Sequence, residues 1–511
     1  MTRSLEGEEV SNVGNTGTLE ATVRNEYYIN GGTEETQSGL VIIMGKNRFR
    51  LTGRRWGMEY SLSKITFHHE SHHRRGGIGG LATYHALHTY LPSNTTIKVY
   101  ESYPSPNTVT SGIGGGIGIV PNGLRALNAI SPPSVLYLRT HGNVCPYFVI
   151  RNENGTTLGR LGGLDDRILL PRASVHESLL LGIPDGVAEW GRKVVEVKET
   201  ADAAQVVFED GMVETCDLVV GADGVKSVCR QALIGKEAYQ ARYDGLTGVG
   251  GFAPFASLTP ALQRGIKADQ AAMTFSRNGF FGYALSLPAN TPVSEQQVMF
   301  WSTYETDTPP SRDLPSEDIR NIFIQKHDSW RSPYTGAFRQ IIDAASRPTT
   351  TDSRFTKWLV LPRYEIPHLP YWTSLHGTVL GPAIGAARII LMGDAAHAAS
   401  PDSGQGASMA FEDAQMLGLL LRHYLSHSDL LPKVAKAYED MRIPRVGRTL
   451  RLGRRQADGK REISRFKAAV RDLILWNMCH LLLRVLLWLN PTHLYNVEKE
   501  VAEYSYDLMN A

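Results

Sequence analysis

The chain has 511 residues, too many for one hydrophobic core, and a composition (42% hydrophobic, 20% charged) that fits a globular protein of two or three domains. Its net charge of +2 excludes a general attraction to nucleic acid or to an anionic membrane. Four widely separated cysteines (Cys145, Cys216, Cys229, Cys479) show no metal-binding spacing, so no metal site is expected and the thiols read as reduced and buried in a cytoplasmic protein.

Residues 1–38 are polar, with no apolar period and no hydrophobic signal segment, and read as a disordered tail. Residues 40–44, LVIIM, form a continuous apolar run, as expected of a strand covered on both faces in a parallel sheet. Glycines should follow at once. Instead, residues 46–75 interpose a basic, histidine-studded stretch without a hydrophobic period before GGIGGLATYHAL resumes at Gly76. Joining Gly45 to Gly76 restores a strand, the pattern GxGxxG (Gly45, Gly77, Gly80) and a helix over 81–91. Such a turn lets a pyrophosphate rest on a helix N-terminus. A second strand, TIKVY at 96–100, ends at Glu101, about 20 residues after Gly80, where a ribose-binding carboxylate belongs. We therefore read 46–75 as an anomalous insertion, the translation of a retained intron. Its cluster HHESHH, at 68–73, reads as a chance product rather than a metal site.

Further along, AAQVVFEDGMVETC reads as a hairpin around Asp210-Gly211, followed by a buried strand at 218–221 that runs into Asp223-Gly224. Residues 240–375 alternate and are rich in aromatic residues and proline, which predicts an antiparallel sheet. A parallel-type strand returns at 388–392, RIILM, and leads through Gly393, Asp394 and His397 to Pro401, Gly404, Gly406, Ala407 and a helix. An acidic side chain at a strand end and glycines at a helix start suit a sugar hydroxyl and a pyrophosphate or ring oxygen. His397 has no second ligand or nucleophile at useful spacing and reads as a structural hydrogen-bonding residue. Residues 473–489, LILWNMCHLLLRVLLWL, are near spanning length, but Asn477, His480 and Arg484 interrupt them. They read as an amphipathic helix packed on the protein, in preference to a span or to peripheral membrane contact.

The blocks GDAAH…P…GQG and GADG together resemble the single-component FAD-dependent aromatic hydroxylases, in particular the fungal salicylate-hydroxylase-like monooxygenases. The resemblance runs from about residue 40 to the C-terminus, apart from 46–75. It implies an α/β fold: a split FAD-binding Rossmann domain of the glutathione-reductase type (39–235 and 381–450), a β-rich substrate domain (236–380) and a helical C-terminal region (451–511). It implies FAD as cofactor and NAD(P)H as cosubstrate, with O2 and a small aromatic or polycyclic molecule as partners in a hydroxylation or epoxidation. By the same resemblance Glu101 binds the adenosine ribose and Asp394 the ribitol. Gly406 and Ala407 lie near the flavin ring, with Gly115 beside its face and Arg172 in contact with it, while Asp223 and Gly224 serve both FAD and NAD(P)H. Tyr283 occupies the place of a substrate-facing catalytic tyrosine. The sequence departs from that branch at YDGLTGVGGFAPF, where an arginine is expected and none stands. Two other readings stay open: an oxidase or dehydrogenase without oxygen insertion, and an inactive product of a mis-spliced gene.

Overall fold

The computed structural model describes residues 40–41, 65–68, 77–107, 115–237, 239–311, 314–327, 330, 336–347, 352–355, 358–379, 385–398, 401–480 and 491–510. In chain order the strands are β1 (Leu40–Val41), β2 (Ile65–His68), β3 (Ile97–Glu101), β4 (Gly116–Ile119), β5 (Asn143–Asn152), β6 (Thr157–Pro171), β7 (Ala188–Trp190), β8 (Val194–Glu199) and β9 (Ala204–Phe208). They continue with β10 (Val213–Cys216), β11 (Leu218–Gly221), β12 (Arg242–Pro254), β13 (Ala271–Ser276), β14 (Gly279–Leu285), β15 (Gln297–Glu305), β16 (Leu359–Glu365) and β17 (Ile389–Leu391). The helices are α1 (Ile78–Tyr90), α2 (Pro121–Ile130), α3 (Pro132–His141), α4 (Arg172–Leu180), α5 (Val228–Ile234), α6 (Pro260–Asp269) and α7 (Ser316–His327). After these come α8 (Ala337–Ala345), α9 (Asp394–His397), α10 (Gly406–Tyr424), α11 (Leu430–Asp458), α12 (Arg465–His480), α13 (Pro491–Leu494) and α14 (Val497–Asn510).

Short runs of branched apolar residues build the first sheet. Leu218, Val219, Val220 and Ile389, Ile390, Leu391 are fully buried, as strands covered on both faces must be. The sheet runs β3, β2, β11, β17, all parallel, with β7 on the outer side of β3. Helices α1 and α10 and the antiparallel meander β8–β9–β10 pack into the same core, the meander through Val194, Val197, Val206 and Phe208.

The second large sheet has eight strands in the order β16, β12, β15, β14, β13, β5, β6, β4. Its residues alternate between two environments, as period-two strands require. On one face Val149, Phe281, Tyr283, Leu285 and Phe300 pack with Leu262, Phe323, Phe338 and Ile341 from α6, α7 and α8. On the other, Cys145, Leu169, Phe252, Ala284, Met299 and Phe355 form a smaller cluster with Trp301 and Phe148 against it.

Three expectations change here. The apolar run at 40–44 was expected to supply the central parallel strand, and 46–75 to stand outside the fold. Of the run, Leu40–Val41 pairs antiparallel with the end of β3, while residues 42–44 and Gly45 lie outside the described residues. The central slot is filled from within 46–75: Ile65–His68 hydrogen-bonds in parallel with β3 on one side and β11 on the other. The physical reason is local. Ile65, Thr66 and Phe67 are β-branched or aromatic, the residue types that suit a strand, but the run is too short to show a period between its charged flanks. Of the histidine cluster only His68 is described. Second, β4, β5 and β6 lie within 39–235 yet belong to the eight-stranded sheet, so that sheet recruits strands from both sides of the expected boundary at 236. Third, α11 runs unbroken across the expected boundary at 450, over Pro444. All four cysteines are buried, as expected.

The parallel placement of β2 can be tested directly. Proline cannot donate to a ladder and is excluded from central strands. Thr66→Pro should therefore cost about 3 kcal/mol, read as a fall in the urea midpoint with loss of bound flavin. A silent Thr66→Pro would mean that residues 40–44 hold the central slot instead.

Candidate functional site

The motif blocks converge at the start of α1. A Cβ added to Gly79 would lie 3.7 Å from Ala222 Cβ, 3.9 Å from Ala410 Cβ and 3.9 Å from Met392 Cε. These atoms come from the GADG loop, from α10 and from the residue before Gly393. Thr83 donates to Met392 Sδ at 2.9 Å, and a Cβ on Gly393 would sit 3.6 Å from Ala410 Cβ. Segments more than 300 residues apart in sequence thus meet in van der Waals contact.

Two helix N-termini border this junction. α1 follows Gly77 and α10 follows Gln405; neither has a side-chain cap or, among the described residues, an acidic residue in its first turn. Their first N–H groups have no intrahelical partner, and the helix dipole makes both ends favourable for anionic or carbonyl oxygens. Gly404, at φ +62°, and Gly406 have open space where a Cβ would stand, as a loop approached closely by a ligand requires.

Glu101 closes β3 and is 2% exposed. Its Oε1 accepts the Tyr103 N–H at 3.1 Å, and burial pushes the carboxyl up to about 8 against the pull of hydrogen bonds from Tyr103 and Ser102. Gly115, at φ +86°, accepts the Arg172 N–H through its carbonyl at 3.1 Å, so those two expected residues are neighbours at the entrance of β4 and α4. Asp223 is fully buried and works locally: Oδ1 accepts the Ser227 hydroxyl and Oδ2 the Cys229 N–H at 3.0 Å, which caps α5. Arg230 then donates to the carbonyls of Val225 and Ala395, the latter at 2.9 Å, tying the Asp223-Gly224 loop to α9, where Asp394 is the first residue.

Tyr283 is not brought to this junction. On β14 it shares its face with Phe281 and Leu285 and points into the helix-covered core. Its hydroxyl donates to Asp269 Oδ2 at 3.0 Å and accepts from Arg151 at 3.3 Å, while Arg151 and Asp269 pair at 2.9 Å. The strand's alternation sends its odd-numbered positions toward α6–α8, which is why Tyr283 stands apart from the other expected site residues. His397, read as structural, is that: Nε2 lies 2.7 Å from Asp413 Oδ2.

Beneath the loops runs a buried polar network that the sequence reading did not single out. Asp413 Oδ2 also accepts the Gly393 N–H at 2.9 Å. Arg442, fully buried, donates to Asp413 at 2.7 Å and to Glu412 at 2.8 Å, and Arg445 reaches Glu412 at 2.8 Å. Asn122 joins Glu412, at 2.7 Å, to Gln405, at 2.9 Å. For Asp413 burial is the largest influence and raises the carboxyl, yet Arg442 and His397 outweigh it and hold it down to about 2. A second network anchors the 401–403 turn to the eight-stranded sheet. Arg363 on β16, nearly inaccessible, pairs with Asp402 at 2.6 Å and Asp244 at 2.8 Å, and Lys460 reaches Asp402 at 2.7 Å. The available signal was the placement of Glu412, Asp413 and Arg442 among buried apolar positions of α10 and α11.

The arrangement fits FAD. Open glycine-lined helix starts suit its diphosphate and ring oxygens, and carboxylates at two strand ends suit its ribose and ribitol hydroxyls. No group of His, Cys, Asp and Glu able to hold a metal occurs among the described residues.

The network's role in stability is testable. Removing Arg442 takes a charge partner from two buried carboxylates, leaving Glu412 to Arg445 and Asp413 to His397, so Arg442→Met should cost about 3 kcal/mol in chemical denaturation. Because the folded carboxyl of Asp413 sits below its ordinary 3.8, the contribution is present above that pH and is lost as pH falls toward 2. The Arg442→Met cost should shrink over that acid range.

Known proteins resemble this chain in sequence and in fold. The family model described as FAD binding domain matches residues 383–452, the stretch that holds Gly393, Asp394, the 401–407 turn, Asp413 and Arg442. Salicylate hydroxylase of Pseudomonas putida is 26% identical over 392 residues, covering 74% of this chain and 82% of that one. The 6-methylsalicylate 1-monooxygenase of Aspergillus terreus is 27% identical over 403 residues, covering 74% and 80%. Among solved structures, HpxO of Klebsiella pneumoniae, complexed with FAD and uric acid, superposes with a TM-score of 0.61 at 20% identity over 82% of this chain and 95% of that one. A salicylate hydroxylase substrate complex gives 0.58 at 18% identity over 83% and 95%. The fold is thus that of a glutathione-reductase-type FAD-binding domain with a β-rich partner sheet and a helical C-terminal region. The chain carries a FAD binding domain and is similar over most of its length to FAD-dependent aromatic monooxygenases, salicylate hydroxylase among them.

Proposed function

We propose that the chain is a cytoplasmic monooxygenase that uses NAD(P)H and O2 to hydroxylate or epoxidise a small aromatic or polycyclic molecule. The observation that carries this reading is the convergence of the GADG loop, the strand end before Gly393 and α10 on Gly79 at the open start of α1. Bound FAD supplies the electron transfer and oxygen chemistry; the protein holds it, positions substrate and keeps water out.

In this reading the N–H groups following Gly77 and Gly80 take the diphosphate, Glu101 takes the ribose hydroxyls and Asp394 the ribitol. Gly406 and Ala407 present backbone N–H groups to the ring, with Pro401 and Gly404 shaping the turn that delivers them. Gly115 and Arg172 stand at the opposite wall. In the same reading the substrate lies against the cluster of Phe252, Met299, Trp301 and Phe355, which the packing of Met299 against Gly116 and of Leu359 against Gly115 supports. Such a wall suits an apolar aromatic ring and excludes water. Arg363 and Asp402 hold the 401–403 turn against the same sheet and so keep substrate and flavin sites in register.

Two measurements test the reading. An active aromatic substrate should stimulate NAD(P)H oxidation, with oxygen-18 from O2 found in the product. Hydrogen peroxide as the sole oxygen product with every aromatic tested would move the chain to the oxidases. The second concerns Glu101. Its carboxyl is neutral in the empty site below about pH 8, whereas ribose hydroxyls donate to the carboxylate, so FAD uptake expels a proton. FAD affinity should rise with pH up to about 8, by as much as about tenfold per unit. Glu101→Gln should flatten this slope; an equal slope in the variant would remove Glu101 from the ribose site.

A further inference from the structure

Helix α12 turns an apolar stripe outward. Its inner face is ordinary core: Ala468 and Cys479 are buried, and Leu475 and Cys479 pack with Ile150, Leu158, Met273 and Phe275. Arg471 also faces inward, donating to the Ser276 carbonyl at 2.6 Å and pairing with Asp472, the only carboxylate in the helix, at 3.0 Å. On the outer face Phe466 is 78% exposed, Leu473 61%, Ile474 53%, Trp476 44% and Val470 41%. At 3.6 residues per turn these five side chains cover an arc of about 160°. Arg465 falls on one border of that arc and Lys467 on the other, and both are exposed. Asn477 and His480 continue the outer face as polar positions, so the stripe ends after about three turns.

An apolar stripe flanked on both sides by cations is the pattern of a helix lying in the plane of an anionic bilayer, its long basic side chains reaching up to the headgroups. A second copy of the chain is a poorer occupant: two-fold pairing would set the basic borders of one copy near those of the other, and Asp472, the carboxylate able to answer them within the helix, is turned inward. No helix among the described residues is long and apolar enough to cross a membrane. We infer that the outer face of α12, centred on Phe466, Val470, Leu473 and Ile474, docks the protein on an anionic lipid surface, with Arg465 and Lys467 against the headgroups. The overall charge of +2 gives no such attraction; the local arrangement does. An enzyme held there would meet apolar substrates where they partition.

The test is co-sedimentation of the FAD-loaded full chain with vesicles of phosphatidylcholine alone or of an equimolar mixture with phosphatidylserine. The protein should sediment with the mixed vesicles and more weakly with the neutral ones. A Phe466→Glu/Leu473→Glu variant should lose binding to the mixed vesicles by at least about tenfold, since it removes two inserted apolar groups and adds two like charges. Arg465→Gln/Lys467→Gln should lose about fivefold per charge on mixed vesicles and change nothing on neutral ones. Both variants should keep the flavin absorbance of the parent, which shows that they fold. Absence of sedimentation with the mixed vesicles, or full retention of binding in Phe466→Glu/Leu473→Glu, would overturn the inference. A concentration-dependent dimer abolished by that variant, without vesicle binding, would assign the face to a second copy and overturn it equally.

Discussion

Two carboxylates and two guanidinium groups buried at the contact of α10 with α11 set the geometry on which the rest depends. Glu412, Asp413 and Arg442 are fully buried, and Arg445 nearly so. Taking such charges out of water costs several kcal/mol per ion, recovered only when geometry and hydrogen bonding are nearly complete. Here each carboxylate is occupied on both oxygens, and two of the bonds lead outward to backbone or side chains of the flavin loops: Asp413 to the Gly393 N–H, and Glu412 through Asn122 to Gln405. An apolar core of the same volume would be as stable and would leave those loops unheld. The cluster is therefore better explained by what it positions than by net stability.

The same logic extends outward by one layer. Arg230 carries the GADG loop to α9, and Arg363 carries the 401–403 turn to β16. Arginine suits both tasks because its planar fork can bridge groups on separate elements while remaining charged when buried. Through these bridges the parallel sheet and the eight-stranded sheet hold opposite sides of one site, although their strands interleave in sequence.

Much of this was legible from the residues. The runs at 218–221 and 388–392 announced buried strands because continuous branched apolar sequence has few other uses. Glu101, Gly393 and Asp394 stood out because their places at strand ends carry a chemical reason. What was hidden depended on long-range contact. A four-residue strand of Ile, Thr, Phe and His between charged segments has too little length for a period to emerge, and the neighbouring run at 40–44 offered a stronger local signal for the same slot. The placement of Tyr283 on the helix-covered face was hidden because its strand is apolar at almost every position, so no alternation marks one side from the other. The ion cluster escaped notice because Glu412 and Asp413 read as ordinary helix charges until Arg442, about 30 residues later, is seen to fold back onto them. The outward stripe of α12 was obscured by Asn477 and His480, which drew attention to the polar positions near the end of the helix.

The central claim is that the buried carboxylates hold the flavin loops in place before FAD arrives. Amide hydrogen exchange of Gly393 in the flavin-free protein, compared between wild type and Asp413→Asn, addresses it most directly. The account predicts that the Gly393 amide is protected in the wild type and exchanges much faster in the variant, while the amides of β11 and β17 keep their protection. Equal protection of Gly393 in both proteins would contradict it, because the loop would then owe its position to something other than Asp413.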